Sequence, residues 1–128
     1  MSKLEHVALF VADLEKARNF YCTWFGGISN DRYHNPRTGL QTYFLTFEGA
    51  RLELMTRPDI VEAAQHQLGW SHIAFSVGTS ADVDALAARL AAAGYEVRGP
   101  RTTGDGYYEA VVLDPEGNHV EFTADKFA

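Results

Sequence analysis

The sequence has very little of several features that define large classes of protein. It has one cysteine in 128 residues, which excludes an internal disulfide framework and indicates a reducing compartment. It has no apolar run of membrane-spanning length, and its beginning, MSKLEHVALF, lacks the long apolar segment of a secretory signal. We therefore expect a cytoplasmic location and no membrane partner. Lysine and arginine are not clustered and the formal net charge is −6, which argues against nucleic acid as the main partner.

A duplicated pattern runs through the chain. The stretch EHVALFV at 5–11 resembles SHIAFSV at 71–77, and a run of apolar residues at helical spacing follows each, over 13–25 and 80–93. The predicted N-caps of the two helices are Asp13 and Ser80. Each half then has strand-like runs on either side of a turn, with a short run before them, at 28–33 and at 95–98, that supplies one further strand. The sequence therefore predicts a strand, a helix and three strands, repeated once, in an α+β fold.

The composition and the repeat together predict how the chain is divided. The chain is 46% hydrophobic and 22% charged, as in an ordinary globular protein, and its length suits one domain, 1–128. Within it we expect module 1 over about 1–57 and module 2 over about 69–128. One module of this size would struggle to bury a sheet face alone, so two modules would do so together, in one chain or in two.

Four polar residues lie at matching places in the repeat. His72 follows His6 by 66 positions, and Glu121 follows Glu53 by 68. Because side chains alternate between the faces of a strand, each of the four points away from its apolar neighbours. A solvated sheet face can carry such residues without any function, but four residues that match in pairs at equivalent positions favour a shared site.

Two neutral imidazoles and two carboxylates suit a divalent first-row metal ion. We predict that this ion is bound by His6, Glu53, His72 and Glu121. Zinc and nickel are the first expectation for the metal, with cobalt, manganese and iron as alternatives. Two open positions on a six-coordinate ion would polarise a substrate oxygen, and the carboxylates could also transfer protons.

The remaining candidate residues are weaker. His34 lies in a turn-rich loop, which favours exposure to solvent over metal binding. His66 and His119 have no equivalent in the repeat, although His119 should face the same way as Glu121. Cys22 lies inside the first helix-like stretch with no histidine partner in view, which predicts a buried thiol rather than a nucleophile.

Four stretches of the chain are similar to a known superfamily: LEHVALFVADLEKARNFY, ARLELM, WSHIAFSV and VVLDPEGNHVEF. Together with the paired βαβββ modules they resemble the vicinal oxygen chelate superfamily, whose members include glyoxalase I, bleomycin-resistance proteins, thiol transferases and extradiol dioxygenases. The resemblance covers essentially the whole chain. It implies that each module curls into a half-barrel, that two half-barrels enclose the metal, and that the protein is a homodimer.

The set of ligands resembles one branch of this superfamily. Thiol transferases and extradiol dioxygenases typically use two histidines and one glutamate, whereas glyoxalase I has a histidine and a glutamate from each module, as this sequence does. The resemblance implies a glyoxalase I-like isomerase of the lactoylglutathione lyase type, acting on a small molecule such as a glutathione hemithioacetal. Glu121, with Glu53 opposite, would then move a proton between adjacent carbons through a metal-bound enediolate.

Two departures from that branch bear on the substrate. Phe10 stands where bacterial glyoxalase I enzymes often have an arginine that contacts glutathione, and Arg57 stands where they often have an asparagine. A different thiol or another vicinal-oxygen substrate is therefore open. The alternative functions are a dioxygenase or thiol transferase on the same scaffold, or a non-enzymatic drug- or metabolite-binding resistance protein.

Overall fold

The structure is a computed structural model that describes residues 1, 3–62, 68–104 and 106–125. The chain divides into two compact units, Met1–Gln67 and Leu68–Ala128. His66, one of the weaker candidate residues, lies outside the described residues. No helix within the described ranges is long and apolar enough to cross a membrane.

The first unit is a five-stranded sheet with one helix. In chain order its elements are β1 (His6–Phe10), α1 (Leu14–Phe25), β2 (Ile28–Ser29), β3 (Tyr33–His34), β4 (Gln41–Phe47) and β5 (Ala50–Thr56). The sheet order is β1-β5-β4-β2, and β3 also pairs with β4. β1 and β5 are parallel, and the other pairs are antiparallel. The first and last strands of the unit are therefore neighbours that run in the same direction.

The second unit repeats this arrangement with four strands. Its elements are β6 (Ile73–Gly78), α2 (Ser80–Ala92), β7 (Val97–Thr102), β8 (Tyr108–Leu113) and β9 (His119–Ala124). The sheet order is β6-β9-β8-β7, and again the first and last strands, β6 and β9, are parallel neighbours. The predicted α+β fold of two βαβββ modules is confirmed.

The first unit departs from the predicted pattern at its second strand. The run at 28–33 was expected to form one strand, but it is divided into β2 and β3. Asn30 explains the division, because its side-chain oxygen accepts the backbone N–H of Phe44 at 2.8 Å. A side chain thus replaces the backbone partner at this point of the ladder, and the regular pairing stops.

Local sequence accounts for the ends of the two helices. Asp13 is the N-cap of α1, as predicted, and its side chain accepts the backbone N–H of Lys16 at 3.0 Å. The prediction of Ser80 as the second N-cap is wrong, because Thr79 occupies that position. Asp82 lies three residues after Thr79, and the two side chains accept each other's backbone N–H in a capping box.

Each helix covers the apolar face of its own sheet. The buried side chains of the helices are Leu14, Ala17, Phe20 and Tyr21 on α1 and Val83, Leu86, Ala87 and Leu90 on α2. The fully buried strand residues include Leu45, Leu54, Val112, Val120 and Phe122. Burial of one such large side chain contributes about 1.5–3 kcal/mol, so the apolar face of each strand is strongly specified. The residues between them, Glu53 and Glu121 included, must therefore occupy the opposite face.

Candidate functional site

The pairing of β1 with β5 places His6 and Glu53 on one face of the first sheet. Ala8 is aligned with Glu53, and His6 precedes Ala8 by two positions, which keeps it on the same face. His6 Nε2 lies 3.9 Å from Glu53 Oε1. The imidazole is 41% exposed and the carboxylate side chain 19% exposed, so the histidine is open to solvent and the glutamate largely shielded.

The second unit holds an equivalent pair. Ala74 is aligned with Glu121 across β6 and β9, and His72 lies immediately before the first residue of β6. His72 was predicted to lie within the strand, so its position differs by one residue while its side chain still reaches Glu121. His72 Nε2 lies 2.7 Å from Glu121 Oε2, and the two side chains are 44% and 17% exposed. The exposures match those of the first pair closely.

Each pair supplies two donor groups of the kind that a divalent first-row metal ion takes in proteins, an imidazole nitrogen and a carboxylate oxygen. The donor chemistry of the predicted four residues therefore fits such an ion. Within the described parts of the chain, no three or more His, Cys, Asp or Glu side chains are grouped so that they could hold a metal. The structure thus groups the four predicted ligands as two pairs, one in each unit.

His6 is surrounded by three further side chains that the sequence did not single out. Its Nδ1 lies 3.1 Å from Glu5 Oε1. Its ring meets the ring of Phe44 edge-on, with 5.5 Å between centroids and 79° between planes. Arg51 lies over the ring of Phe44, with its guanidinium carbon 4.2 Å from the ring centroid, and also donates hydrogen bonds to Glu5.

Glu5 is an ionised hydrogen-bond acceptor in this cluster. The hydrogen bond from Arg51 holds the pKa of Glu5 below its usual range. As a carboxylate, Glu5 can accept a hydrogen bond from Nδ1–H of His6 but cannot donate to that nitrogen. Nε2 of His6 is the ring nitrogen that faces Glu53.

His72 has different partners on its two nitrogens. The Ser71 hydroxyl lies 3.0 Å from Nδ1, and a hydroxyl can donate to that nitrogen or accept from it. Glu121 is within hydrogen-bond distance of Nε2. Position 71 therefore sets no preference between the two ring nitrogens, in contrast to the carboxylate at position 5.

Two more polar residues share the face of Glu121 in the second unit. His119 precedes Glu121 by two positions on β9, as the alternation predicted, and is exposed. Glu109 is aligned with Thr123, which is two positions beyond Glu121, so its side chain has the same orientation. The alternation of side chains in the run YYEAVVL was enough to predict the face of Glu109. Glu109 was not singled out, because it has no matching residue in the other half of the repeat.

Among the described residues, neither His34 nor Cys22 forms a metal-binding group with either pair. His34 is exposed on β3, as expected. Cys22 is half-buried on α1, and burial raises the pKa of its thiol, which disfavours the thiolate that a nucleophile requires. A cavity of about 310 Å³ in the first unit borders Glu5 and Arg51 but is not lined by His6 or Glu53.

Two modules, each with its first strand parallel to its last and a histidine–glutamate pair across that contact, define the class of this protein. The sequence model of the Glyoxalase/Bleomycin resistance protein/Dioxygenase superfamily matches residues 3–122, and the chain belongs to that superfamily. The resemblance seen in the sequence is therefore confirmed.

Relatives in sequence and structure span nearly the whole chain. An uncharacterized protein of Pseudomonas aeruginosa, PA2024, is 34% identical over 124 residues, which cover 94% of this chain and 86% of the relative. A lactoylglutathione lyase from Agrobacterium tumefaciens is 25% identical with a TM-score of 0.74, over 99% of this chain and 96% of that one. A glyoxalase family protein from Enterococcus faecalis has the same fold, with a TM-score of 0.81 at 22% identity over 94% of this chain and 96% of that one.

Proposed function

We propose that this protein is a metal-dependent isomerase of the glyoxalase I type, in which His6, Glu53, His72 and Glu121 together bind one divalent ion. The observation that carries the proposal is the repetition of one histidine–glutamate contact, at equivalent strand positions, in both units. The similarity to a lactoylglutathione lyase supports the same reaction class. The two pairs would combine within one chain or across a homodimer.

The proposed substrate is a hemithioacetal or a similar compound with oxygens on neighbouring carbons. The isomerisation moves a proton from the carbon that bears sulfur to the adjacent carbonyl carbon, while the hydroxyl oxygen becomes a carbonyl oxygen and the former carbonyl becomes the hydroxyl. No oxidant or reductant is consumed. A bound zinc or nickel ion would stabilise the negative charge that develops on the two oxygens.

The glutamates would carry the proton between the two carbons. Glu121 removes the proton and returns it to the neighbouring carbon, with Glu53 on the opposite side of the substrate. Both side chains are less than one-fifth exposed, which limits proton exchange with bulk water during the transfer.

The thiol part of the substrate is less constrained than the reacting carbons. Arg57, at the position where related enzymes often have an asparagine, is paired with Asp59 through contacts of 3.0 and 2.7 Å. Phe10, at the position where those enzymes often have an arginine that contacts glutathione, carries no charge. A thiol other than glutathione is therefore included in the proposal.

Metal binding and isomerase activity test the proposal together. Four ligands per chain correspond to one ion per chain, whether the pairs combine within a chain or between two. We expect the metal-free protein to take up one Ni²⁺ or Zn²⁺ per chain and then to isomerise the hemithioacetal of methylglyoxal with glutathione or a second thiol. A chelator should abolish this activity.

The same preparation discriminates between this proposal and its alternatives. Oxygen uptake with a catechol, or thiol addition to an epoxide, without hemithioacetal turnover would assign a different reaction to the scaffold. Ligand binding that is unaffected by a chelator, in protein that takes up no metal, would indicate a binding protein and contradict the isomerase.

A further inference from the structure

Glu5 is held at the edge of the first sheet by three hydrogen bonds from a single residue. The backbone N–H of Arg51 donates to the Glu5 carbonyl at 2.9 Å. The Arg51 guanidinium donates to Glu5 Oε1 through Nε at 3.1 Å and also through Nη2. Because Arg51 is aligned with His6 across β1 and β5, these hydrogen bonds lie directly beside the histidine.

The position of the Arg51 guanidinium is itself supported by an aromatic ring. The Arg51 guanidinium carbon lies 4.2 Å from the centroid of the Phe44 ring, and the rings of Phe44 and His6 meet in a T-shaped contact. Phe44 is aligned with Glu53, so it belongs to the same face of the first sheet as His6 and Glu53. Glu5, Arg51 and Phe44 therefore contact the His6 ring or each other in a closed circuit of four side chains.

We propose that Glu5, held by Arg51, is a positioning residue for His6. Its carboxylate accepts Nδ1–H, and so keeps the proton off Nε2 and the ring turned with Nε2 toward Glu53. This inference rests on the proposed function, in which Nε2 of His6 is a metal ligand. Histidines that bind metals commonly donate their other ring N–H to a carboxylate, which fixes the tautomer and raises the basicity of the ligand.

The second unit offers a comparison inside the same chain. Ser71 occupies the position equivalent to Glu5, and its neutral hydroxyl imposes no tautomer on His72. The two histidines are therefore oriented in different ways. The tautomer and orientation of His6 are set by Glu5, whereas His72 takes its orientation from Glu121.

The first test uses the metal-free full-length protein with ¹⁵N-labelled histidine. Long-range ¹H–¹⁵N spectra report which ring nitrogen carries the proton, and loss of signals in His6→Asn identifies His6. We expect the Nδ1–H form in the wild-type protein and a shift toward the Nε2–H form in Glu5→Ala. Glu96→Gln is the matched control, because Glu96 is also an exposed carboxylate, paired with Arg98 at 3.0 Å, and it should leave the spectrum of His6 unchanged.

The second test measures Ni²⁺ affinity by titration calorimetry of the same variants. Loss of an outer partner typically weakens metal binding 10- to 100-fold, and we expect about tenfold for Glu5→Ala because the contact is exposed. Glu96→Gln should bind as the wild type does. An unchanged His6 tautomer in Glu5→Ala, or a shifted tautomer with wild-type affinity, would overturn the positioning role.

The two tests separate this inference from the proposed function. If the wild-type protein takes up no Ni²⁺, the metal-dependent isomerase fails, and the spectra of the metal-free protein alone decide whether Glu5 sets the His6 tautomer. If the wild-type protein binds Ni²⁺ and Glu5→Ala changes neither the tautomer nor the affinity, the positioning role fails while the metal site stands.

Discussion

The two histidine–glutamate pairs are equivalent in position but differ in their contact. Glu121 is within hydrogen-bond distance of His72 Nε2, whereas Glu53 lies 3.9 Å from His6 Nε2, beyond that range. The imidazole and the carboxylate are therefore in closer contact in the second pair than in the first. The same two residue types thus make different contacts in the two units.

Removal of either glutamate is the most direct test at the scale of single residues. Glu53→Gln and Glu121→Gln each replace an anionic ligand by a neutral amide of the same shape. Loss of a residue that only hydrogen-bonds to a metal ligand typically weakens metal binding 10- to 100-fold. We expect loss of a ligand itself to lower the Ni²⁺ affinity by at least as much, and isomerase activity to fall with it. Glu48→Gln, in the exposed turn between β4 and β5, is the control. Wild-type metal affinity in both site variants would rule out the proposed ligand set.

Two simple regularities of the sequence coincide on the four proposed ligands. Strand alternation gives the face of each residue, and the repeat gives its equivalent in the other half. Glu5 escaped this reasoning because it precedes β1, where alternation no longer applies, and because its repeat partner is a serine. Its role depends on Arg51, a contact between residues 46 positions apart that no local pattern encodes.

At the scale of elements, the start of α2 shows how one side chain can determine where a helix begins. Thr79 and Ser80 are both good N-cap residues, and the sequence periodicity alone does not choose between them. Asp82 makes the choice, because it lies three residues after Thr79 and can complete a capping box only with that residue. The prediction failed where a pairwise interaction outweighed single-residue preference.

This correction yields a matched pair of substitutions in adjacent residues. Thr79→Ala removes the N-cap side chain, and we expect it to lower the free energy of unfolding by about 1 kcal/mol. Ser80→Ala changes the first residue within the helix, which favours alanine, and should be neutral or slightly stabilising. Urea denaturation monitored by circular dichroism measures both. Equal losses in the two variants would contradict Thr79 as the cap.

The capping box also predicts a pH dependence of stability. Hydrogen bonds from the Thr79 backbone and side chain hold the pKa of Asp82 below its ordinary value. A lowered pKa in the folded state stabilises the protein above the pKa of the unfolded chain, about 3.9, and this contribution is lost as the pH falls through the lower folded value. We expect Asp82→Asn to be less stable than the wild type at pH 7, with the difference narrowing below about pH 4. A difference that stays constant from pH 7 to pH 3 would disagree with this linkage.

At the scale of the whole molecule, the duplicated fold was accessible from the sequence and the substrate was not. Every module must bury alternate apolar residues of its strands under a helix, so its sequence shows a regular hydrophobic periodicity. Substrate recognition requires only a few side chains in places set by loops and by tertiary contacts. Arg57 illustrates this limit, because its pairing with Asp59 became visible only in the structure.

Metal binding should stabilise the folded chain as a whole, because the four proposed ligands come from both ends of both modules and are not assembled in an unfolded chain. For one site that only the folded protein offers, an ion at about 100 times its dissociation constant adds about 2.7 kcal/mol to the free energy of unfolding. We expect Ni²⁺ to raise the urea midpoint of the wild-type protein accordingly and to leave the Glu53→Gln/Glu121→Gln double variant unchanged. Glu48→Gln should respond as the wild type does, which separates the proposed site from weak binding of Ni²⁺ elsewhere on the surface. Equal stabilisation of the double variant and the wild type would show that the ion binds outside the four residues.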